Sequence, residues 1–214
     1  MNLRNRINGK RGVLLKNTLM LYILQFSTYF FSFIVVPYET RVLGPVMFGL
    51  LGAATAAMVY FQNVIDFGFI LSGTADVALH KEDKAYLSRL FTSVTAAKLL
   101  LALACAGVLL VLCRLIDVWG AHTGLYLLFF LSIFLGSLMP DYLYRGLEQM
   151  QIITVRAVCI KAFFTVMIFV LLRAPEDLWM VPVLNIIGNG VAFFCVYLHL
   201  KRKLQITFCR VSFA

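Results

Sequence analysis

The amino-acid sequence predicts an all-α membrane protein with six transmembrane helices. Of its 214 residues, 62% are hydrophobic and only 14% are charged, whereas soluble domains carry about 25% charged residues. The apolar residues form runs close to the roughly 20 residues that a helix needs to cross the hydrocarbon core. These runs do not alternate apolar with polar residues, as the strands of a membrane barrel would. Composition and run length therefore favour a helical bundle in lipid.

Six predominantly apolar runs carry this prediction, and the breaks between them fit helix ends. Pro37 closes the first run, Gly44 and Pro45 open the second, and a polar stretch at residues 80–84 separates the second from the third. The predicted spans cover approximately residues 17–37, 45–71, 87–113, 125–144, 152–172 and 178–198. We accordingly expect a basic tail at residues 1–16, a transmembrane lobe at residues 17–200 and a second tail at residues 201–214.

The distribution of lysine and arginine predicts the orientation of the chain. With the N-terminus in the cytoplasm, thirteen of the 19 basic residues fall in inside segments, and three fall in outside loops, at Arg41, Arg114 and Arg173. Basic residues favour the cytoplasmic side of a membrane. Both termini are therefore predicted to be cytoplasmic.

The net charge of +9 does not indicate nucleic-acid binding, because the basic residues lie at the ends of apolar runs rather than in one patch. Enzyme chemistry also finds little support. The sequence has no phosphate-binding loop, no zinc-protease motif and no nucleophile elbow, and its three histidines lie apart from other ligands. No cofactor or metal site is predicted.

Four charged residues away from the ends of the predicted spans call for a physical explanation. Lys98 and Lys161 lie near the bilayer midplane, and Arg156 and Asp66 lie nearer the cytoplasmic face. Each buried charge needs a partner, a cavity or a route to the headgroups. These residues either pair with one another and brace the bundle, or line a water-filled path. Three cations against one acid favour the path, and a surplus of buried positive charge predicts an anionic guest. In contrast, Asp141, at a cytoplasmic helix end with Arg145 and Glu148, is expected in a solvated salt-bridge cluster.

Several short motifs occur in order along the chain. They are the run PYETRVLG at residues 37–44 followed by Phe48-Gly49, the run DFGF at 66–69, the run PDY at 140–142, the run GLEQM at 146–150, and Pro182 with Asn185. Together they resemble bacterial polysaccharide-unit flippases, which belong to the MOP superfamily and are related to multidrug-and-toxin extrusion transporters. The sequence departs from the family pattern at Ile70, Ala75, Tyr142 and Arg145, where Asn, Arg, Trp and Gln are usual.

The resemblance implies a transporter that moves an undecaprenyl-pyrophosphate-linked oligosaccharide across the bacterial inner membrane, for O-antigen, capsule or exopolysaccharide assembly. It implies two lobes that rock around a cationic cavity, of which this chain resembles the N-terminal lobe, truncated before the second. Arg41 matches the motif arginine at the outer end of the first helix. The expected cavity or gating residues are Arg41, Asp66, Lys98, Arg156 and Lys161.

The expected partners are the lipid-linked oligosaccharide, membrane lipids, and a second lobe, a second copy or other glycan-assembly proteins. Two alternatives remain open from the sequence. The chain could be a non-transporting half that acts as an interaction or structural component. It could also be a small-molecule antiporter, although such a transporter for cations should prefer acidic cavity residues.

Overall fold

The computed structural model describes residues 3–206, and this part of the chain is helical, with no strands. Eight α-helices follow one another in the order α1 (Leu3–Asp66), α2 (Phe69–Leu79), α3 (Lys84–Leu115), α4 (Asp117–Ala121), α5 (Thr123–Ser137), α6 (Asp141–Gly146), α7 (Met150–Leu171) and α8 (Met180–His199). A 3-10 turn at Pro175–Trp179 precedes α8, and a π-helical turn at Leu200–Leu204 follows it. The prediction of an all-α membrane protein is confirmed.

Helix α1 is too long for one crossing and is broken at Gly44. Its 64 residues would extend about 96 Å if straight, roughly three times the hydrocarbon thickness. Gly44 has φ +70° and ψ 174°, outside the helical region, and Pro45 follows it. A left-handed φ suits glycine because it lacks a Cβ. We call residues 3–43 the first segment of α1 and residues 45–66 the second segment.

The packing of α1 on α7 shows that the chain reverses at this break. The Thr154 hydroxyl donates to the carbonyl of Met20, and the Tyr38 hydroxyl donates to the carbonyl of Leu172. Both pairs are separated by 134 residues, so α7 runs parallel to the first segment. Successive spans alternate in direction, and two spans can be parallel only if an odd number of spans lies between them. The second segment, α3 and α5–α6 supply three.

The described chain therefore accommodates six crossings. Length and composition identify five helices that could cross a membrane, the first of which covers Leu15–Leu79. Dividing that helix at Gly44 gives the sixth crossing. The ends of the spans differ from the prediction where the backbone breaks, at Phe67 and Gly68 with positive φ and at Pro140 between α5 and α6.

Two glycines let α2 and α6 pack in close contact. A Cβ added at Gly146 would lie 2.5 Å from the Cβ of Val77, and one added at Gly73 would lie 2.7 Å from the ring of Tyr142. Small residues let membrane helices approach closely, and van der Waals packing then stabilises the contact. These two contacts hold α6, which starts at Asp141, against the end of the second span.

The core consists of two buried clusters stacked along the bundle. One surrounds the Gly44 break and includes Leu43, Tyr126 and Leu172, and the other lies towards the opposite end and includes Val77, Tyr144 and Ile153. Many large apolar side chains remain exposed on the outer faces. Such exposure suits a surface that faces lipid rather than water.

Candidate functional site

A groove with polar residues among an apolar lining runs along the inside of the bundle and encloses about 900 Å³. Both segments of α1 border it, together with α5, α7 and α8. Its polar and charged lining residues are Ser32, Glu39, Thr55, Gln62, Ser132, Arg156, Lys161, Thr165, Asn185 and Asn189. Thr55, Asn185 and Asn189 donate to backbone carbonyls. The charged groups of the lining that have no partner in the described part of the chain favour water or a polar ligand in this space, because hydrocarbon would leave them unsatisfied.

Helical periodicity places these side chains on the groove. Helix α7 contributes Arg156, Ile160, Lys161 and Thr165, which follow one another at spacings of four, one and four residues and so share one face. Helix α8 contributes Val181, Asn185 and Asn189 at spacings of four. Asn189 also donates to the carbonyl of Ser132 on α5, at 3.3 Å. The amide of Asn189 therefore ties two walls of the groove together.

Lys161 lies in this groove without an acidic partner. It makes no ion pair or hydrogen bond to any residue between 3 and 206, and it is partly buried. A lysine in this position needs water or an anion to satisfy its ammonium group. Lys161 therefore lies where a cavity residue would lie, and its role there stays a prediction.

Arg156 also lines the groove, but it is paired. Its Nη2 lies 2.8 Å from Oδ1 of Asp141 and donates to Oδ2 at 3.0 Å. Its Nε and Nη1 are buried and have no partner among the described residues. The expectation that Asp141 belongs to a solvated cluster with Arg145 and Glu148 is wrong. The break at Pro140 starts α6 at Asp141 and turns its carboxylate towards α7, while Glu148 pairs with Lys81.

Lys98 and Asp66 form a buried ion pair away from the groove lining. The Nζ of Lys98 lies 2.8 Å from Oδ1 of Asp66 and 2.6 Å from the carbonyl of Ser137. The side chain of Lys98 is 4% exposed, and that of Asp66 is 21% exposed. The pair joins the second segment of α1, α3 and the end of α5. This geometry fits the alternative in which these residues pair with one another and brace the bundle.

Glu39 is a groove residue that sequence reasoning missed. Only 7% of its surface is exposed, it lines the groove, and it finds no partner among residues 3–206. The sequence placed it in a loop because Pro37 was taken as a helix end. The helix continues through Pro37, and Glu39 lies four residues from the buried side chains of Val35 and Leu43. That spacing was the signal for its burial.

The surplus of buried positive charge inferred from sequence is smaller in the structure. It counted Lys98, Arg156 and Lys161 against Asp66 alone, but Glu39 and Asp141 add two further acids inside the bundle. Arg145, whose Nε is buried without a partner among the described residues, adds a fourth cation. The fold also separates charge, with an unpaired cation and an unpaired acid at different positions of one groove.

Arg41 stands apart from the other candidates. It is exposed and does not belong to the groove lining, although it lies near the Gly44 break at one end of the bundle. The structure thus brings Arg156 and Lys161 into one groove, buries Lys98 with Asp66 beside it, and leaves Arg41 outside.

The chemistry of the groove suits an anion that also carries hydrogen-bonding groups. The ammonium of Lys161 provides a point charge, and the guanidinium of Arg156 can grip phosphate oxygens in a planar fork if it leaves Asp141. Among the described residues, no group of three or more His, Cys, Asp or Glu side chains could hold a metal ion.

Comparison with known proteins gives consistent matches over most of the chain. The family described as "Polysaccharide biosynthesis protein" matches residues 14–213. The chain is 27% identical over 197 residues to a protein named "Putative O-antigen transporter" of Shigella dysenteriae, covering 91% of this chain and 49% of that protein. It is 24% identical over 186 residues to a protein of the same name from Escherichia coli strain K12, covering 87% of this chain and 45% of that protein. The chain thus spans about half the length of the curated relatives that it matches. No solved structure matches it significantly.

Proposed function

Because the chain belongs to the polysaccharide biosynthesis protein family, we propose that it moves an undecaprenyl-pyrophosphate-linked oligosaccharide across the bacterial inner membrane. In this proposal it acts as a transporter rather than an enzyme, with both termini in the cytoplasm. The excess of basic residues in the inside segments supports that orientation. The names of the relatives, which refer to O-antigen transport, support an oligosaccharide as cargo.

The observation that carries the proposal is Lys161, which lies without an acidic partner in a groove inside a membrane bundle. A pyrophosphate brings the negative charge that satisfies Lys161, and its oxygens compete with Asp141 for the guanidinium of Arg156. The two basic residues are five positions apart on α7, or about 7.5 Å of helix rise. A diphosphate group can contact both. Carboxamides and hydroxyls along the same groove offer hydrogen bonds to sugars.

Transport requires a second wall for the groove. The chain spans about half of its relatives, and we propose that a second lobe or a second copy closes the groove and rocks against this one. The buried pair of Lys98 and Asp66 keeps one end of the lobe rigid during that movement, and Arg41 acts at the other end as a gating residue. Membrane lipids surround the remaining apolar faces.

Two other functions compete with this proposal. Glu39 gives the groove one acid, which favours a small-molecule antiporter for an organic cation. Arg156 and Lys161 oppose such a cargo, because a groove with two basic side chains repels cations. The second alternative is a component that associates with glycan-assembly proteins without transporting. Such a component would not depend on a charge inside its groove.

The test is surface display of glycan in cells that lack the chromosomal copy of the gene and express the full chain, in its natural genetic background. Lys161→Ala should reduce display strongly, with normal membrane insertion, whereas Lys201→Ala, at an exposed position, should not. Unchanged display in Lys161→Ala would contradict the proposal. Export of a cationic dye that needs Glu39 but not Lys161 would support the antiporter.

A further inference from the structure

Glu39 is the buried acid whose position the proposed charge contacts do not explain. It lies in the first segment of α1, five residues before the Gly44 break, and lines the same groove as Lys161. Neither residue has a partner among the described side chains. An unpaired carboxyl group in a low-dielectric site is unfavourable unless donors reach it. The hydrogen-bond donors for Glu39 must therefore come from water or from a bound molecule.

The register of the helices separates Glu39 from Lys161 along the groove. Tyr38 bonds to the carbonyl of Leu172, so the backbone of Glu39 is level with the end of α7. Lys161 lies eleven residues before Leu172, which corresponds to about 16 Å of helix rise. This distance explains why the two groups do not pair. It also leaves room for one elongated molecule to contact both.

Other residues that line the same groove are hydrogen-bonding but uncharged. Ser32 and Gln62 line the groove and have no partner in the described part of the chain, and the hydroxyl of Thr165 is buried without one. A metal ion would find a single carboxylate here rather than a cluster, and metal ions prefer several oxygen ligands. A guest with many hydroxyl groups can donate to Glu39 and exchange hydrogen bonds with the amide and hydroxyl groups.

We propose that Glu39 marks a sugar-binding subsite, where its carboxyl group accepts hydrogen bonds from the hydroxyls of the oligosaccharide while Lys161 holds the pyrophosphate of the same molecule. The inference rests on the proposed function and adds to it the orientation of the substrate in the groove. In its ionised form, Glu39 also repels the pyrophosphate. The substrate therefore lies with its sugars towards the Gly44 end of the groove and its pyrophosphate towards Arg156.

Binding measurements on the purified full chain in lipid nanodiscs test this subsite. The probes are undecaprenyl pyrophosphate without sugar and the lipid-linked oligosaccharide extracted from cells that encode the chain. Glu39→Ala should weaken binding of the sugar-bearing lipid about tenfold or more, since it removes hydrogen bonds to a carboxylate. Its affinity for the sugar-free lipid should stay the same or rise. Glu176→Gln is the matched control, because Glu176 is an exposed acid in the turn before α8, and it should change neither affinity.

The outcomes separate this inference from the proposed function. Lys161→Ala should weaken binding of both lipids, and its failure to do so would contradict the pyrophosphate contact. If Glu39→Ala weakens both lipids equally, or neither, the sugar subsite is refuted while the pyrophosphate contact can stand. If the unmodified chain binds neither lipid, both are refuted. Glu39→Gln, which keeps the shape and a hydrogen-bond acceptor, shows whether a loss reflects misfolding, because it should retain part of the affinity for the sugar-bearing lipid.

Discussion

Replacing Lys98 by Met should destabilise the bundle, because it leaves the carboxylate of Asp66 without its cation. The ammonium of Lys98 bonds to that carboxylate at 2.8 Å and to the carbonyl of Ser137 at 2.6 Å, with 4% of the side chain exposed. Removing one partner of a buried ion pair costs about 3–5 kcal/mol. Asp66 is 21% exposed, so water relieves part of the loss, and we expect about 3 kcal/mol.

A double-mutant cycle isolates the interaction. Asp66→Leu alone should also destabilise, because it leaves a buried ammonium with one backbone acceptor. The double variant, Lys98→Met with Asp66→Leu, should be more stable than the sum of the single losses predicts, by about 2 kcal/mol, because two apolar side chains can replace a buried pair at little cost. The assay is reversible unfolding of the purified chain in mixed micelles. Strictly additive losses would refute the bracing role.

Three further predictions concern packing, the second ion pair and topology. Gly146→Leu should cost about 1–3 kcal/mol of folding free energy in the same unfolding assay, because the side chain collides with α2, whereas Gly190→Ala, which meets no atom within 4 Å, should not destabilise. Asp141→Asn should lower thermal stability in micelles by weakening the charge-assisted bond to the buried guanidinium of α7; an unchanged melting temperature would contradict that contact. In a cysteine-free background, a cysteine at Glu176 should react in whole cells with a maleimide that does not cross membranes, and one at Lys201 should not; the reverse pattern would overturn the orientation.

The membrane-spanning helices could be predicted from sequence because they depend on composition and length. Hydrophobic runs near 20 residues require little tertiary information, and the turn at Gly44 was marked by its glycine and the following proline. The extent of the helices was harder to predict. Pro37 was read as a helix end, but a proline inside a membrane helix is tolerated where neighbouring groups satisfy the freed carbonyl, and α1 continues past it.

The candidate site was predicted only in part, because pairing depends on tertiary contacts. The position of Lys161 inside the bundle could be predicted from its distance along the helix alone. The partner of Arg156 could not be predicted. Asp141 contacts it because the chain breaks at Pro140 and changes direction there, which a hydropathy pattern does not show. Glu39 was missed for a related reason: a charged residue beyond a proline looks like a loop residue until the helix is seen to continue.

The most direct measurement of the central claim is photocrosslinking of the lipid-linked oligosaccharide from inside the groove. Gly52 lines the groove and Gly107 lies exposed on α3, outside the groove lining, and a Cβ at either position meets no atom within 4 Å. A photoreactive side chain at Gly52 should label the lipid-linked oligosaccharide in cells, and Lys161→Ala should abolish the labelling, while the same probe at Gly107 should label bulk phospholipid only. If the probe at Gly52 labels bulk phospholipid alone, the account is contradicted.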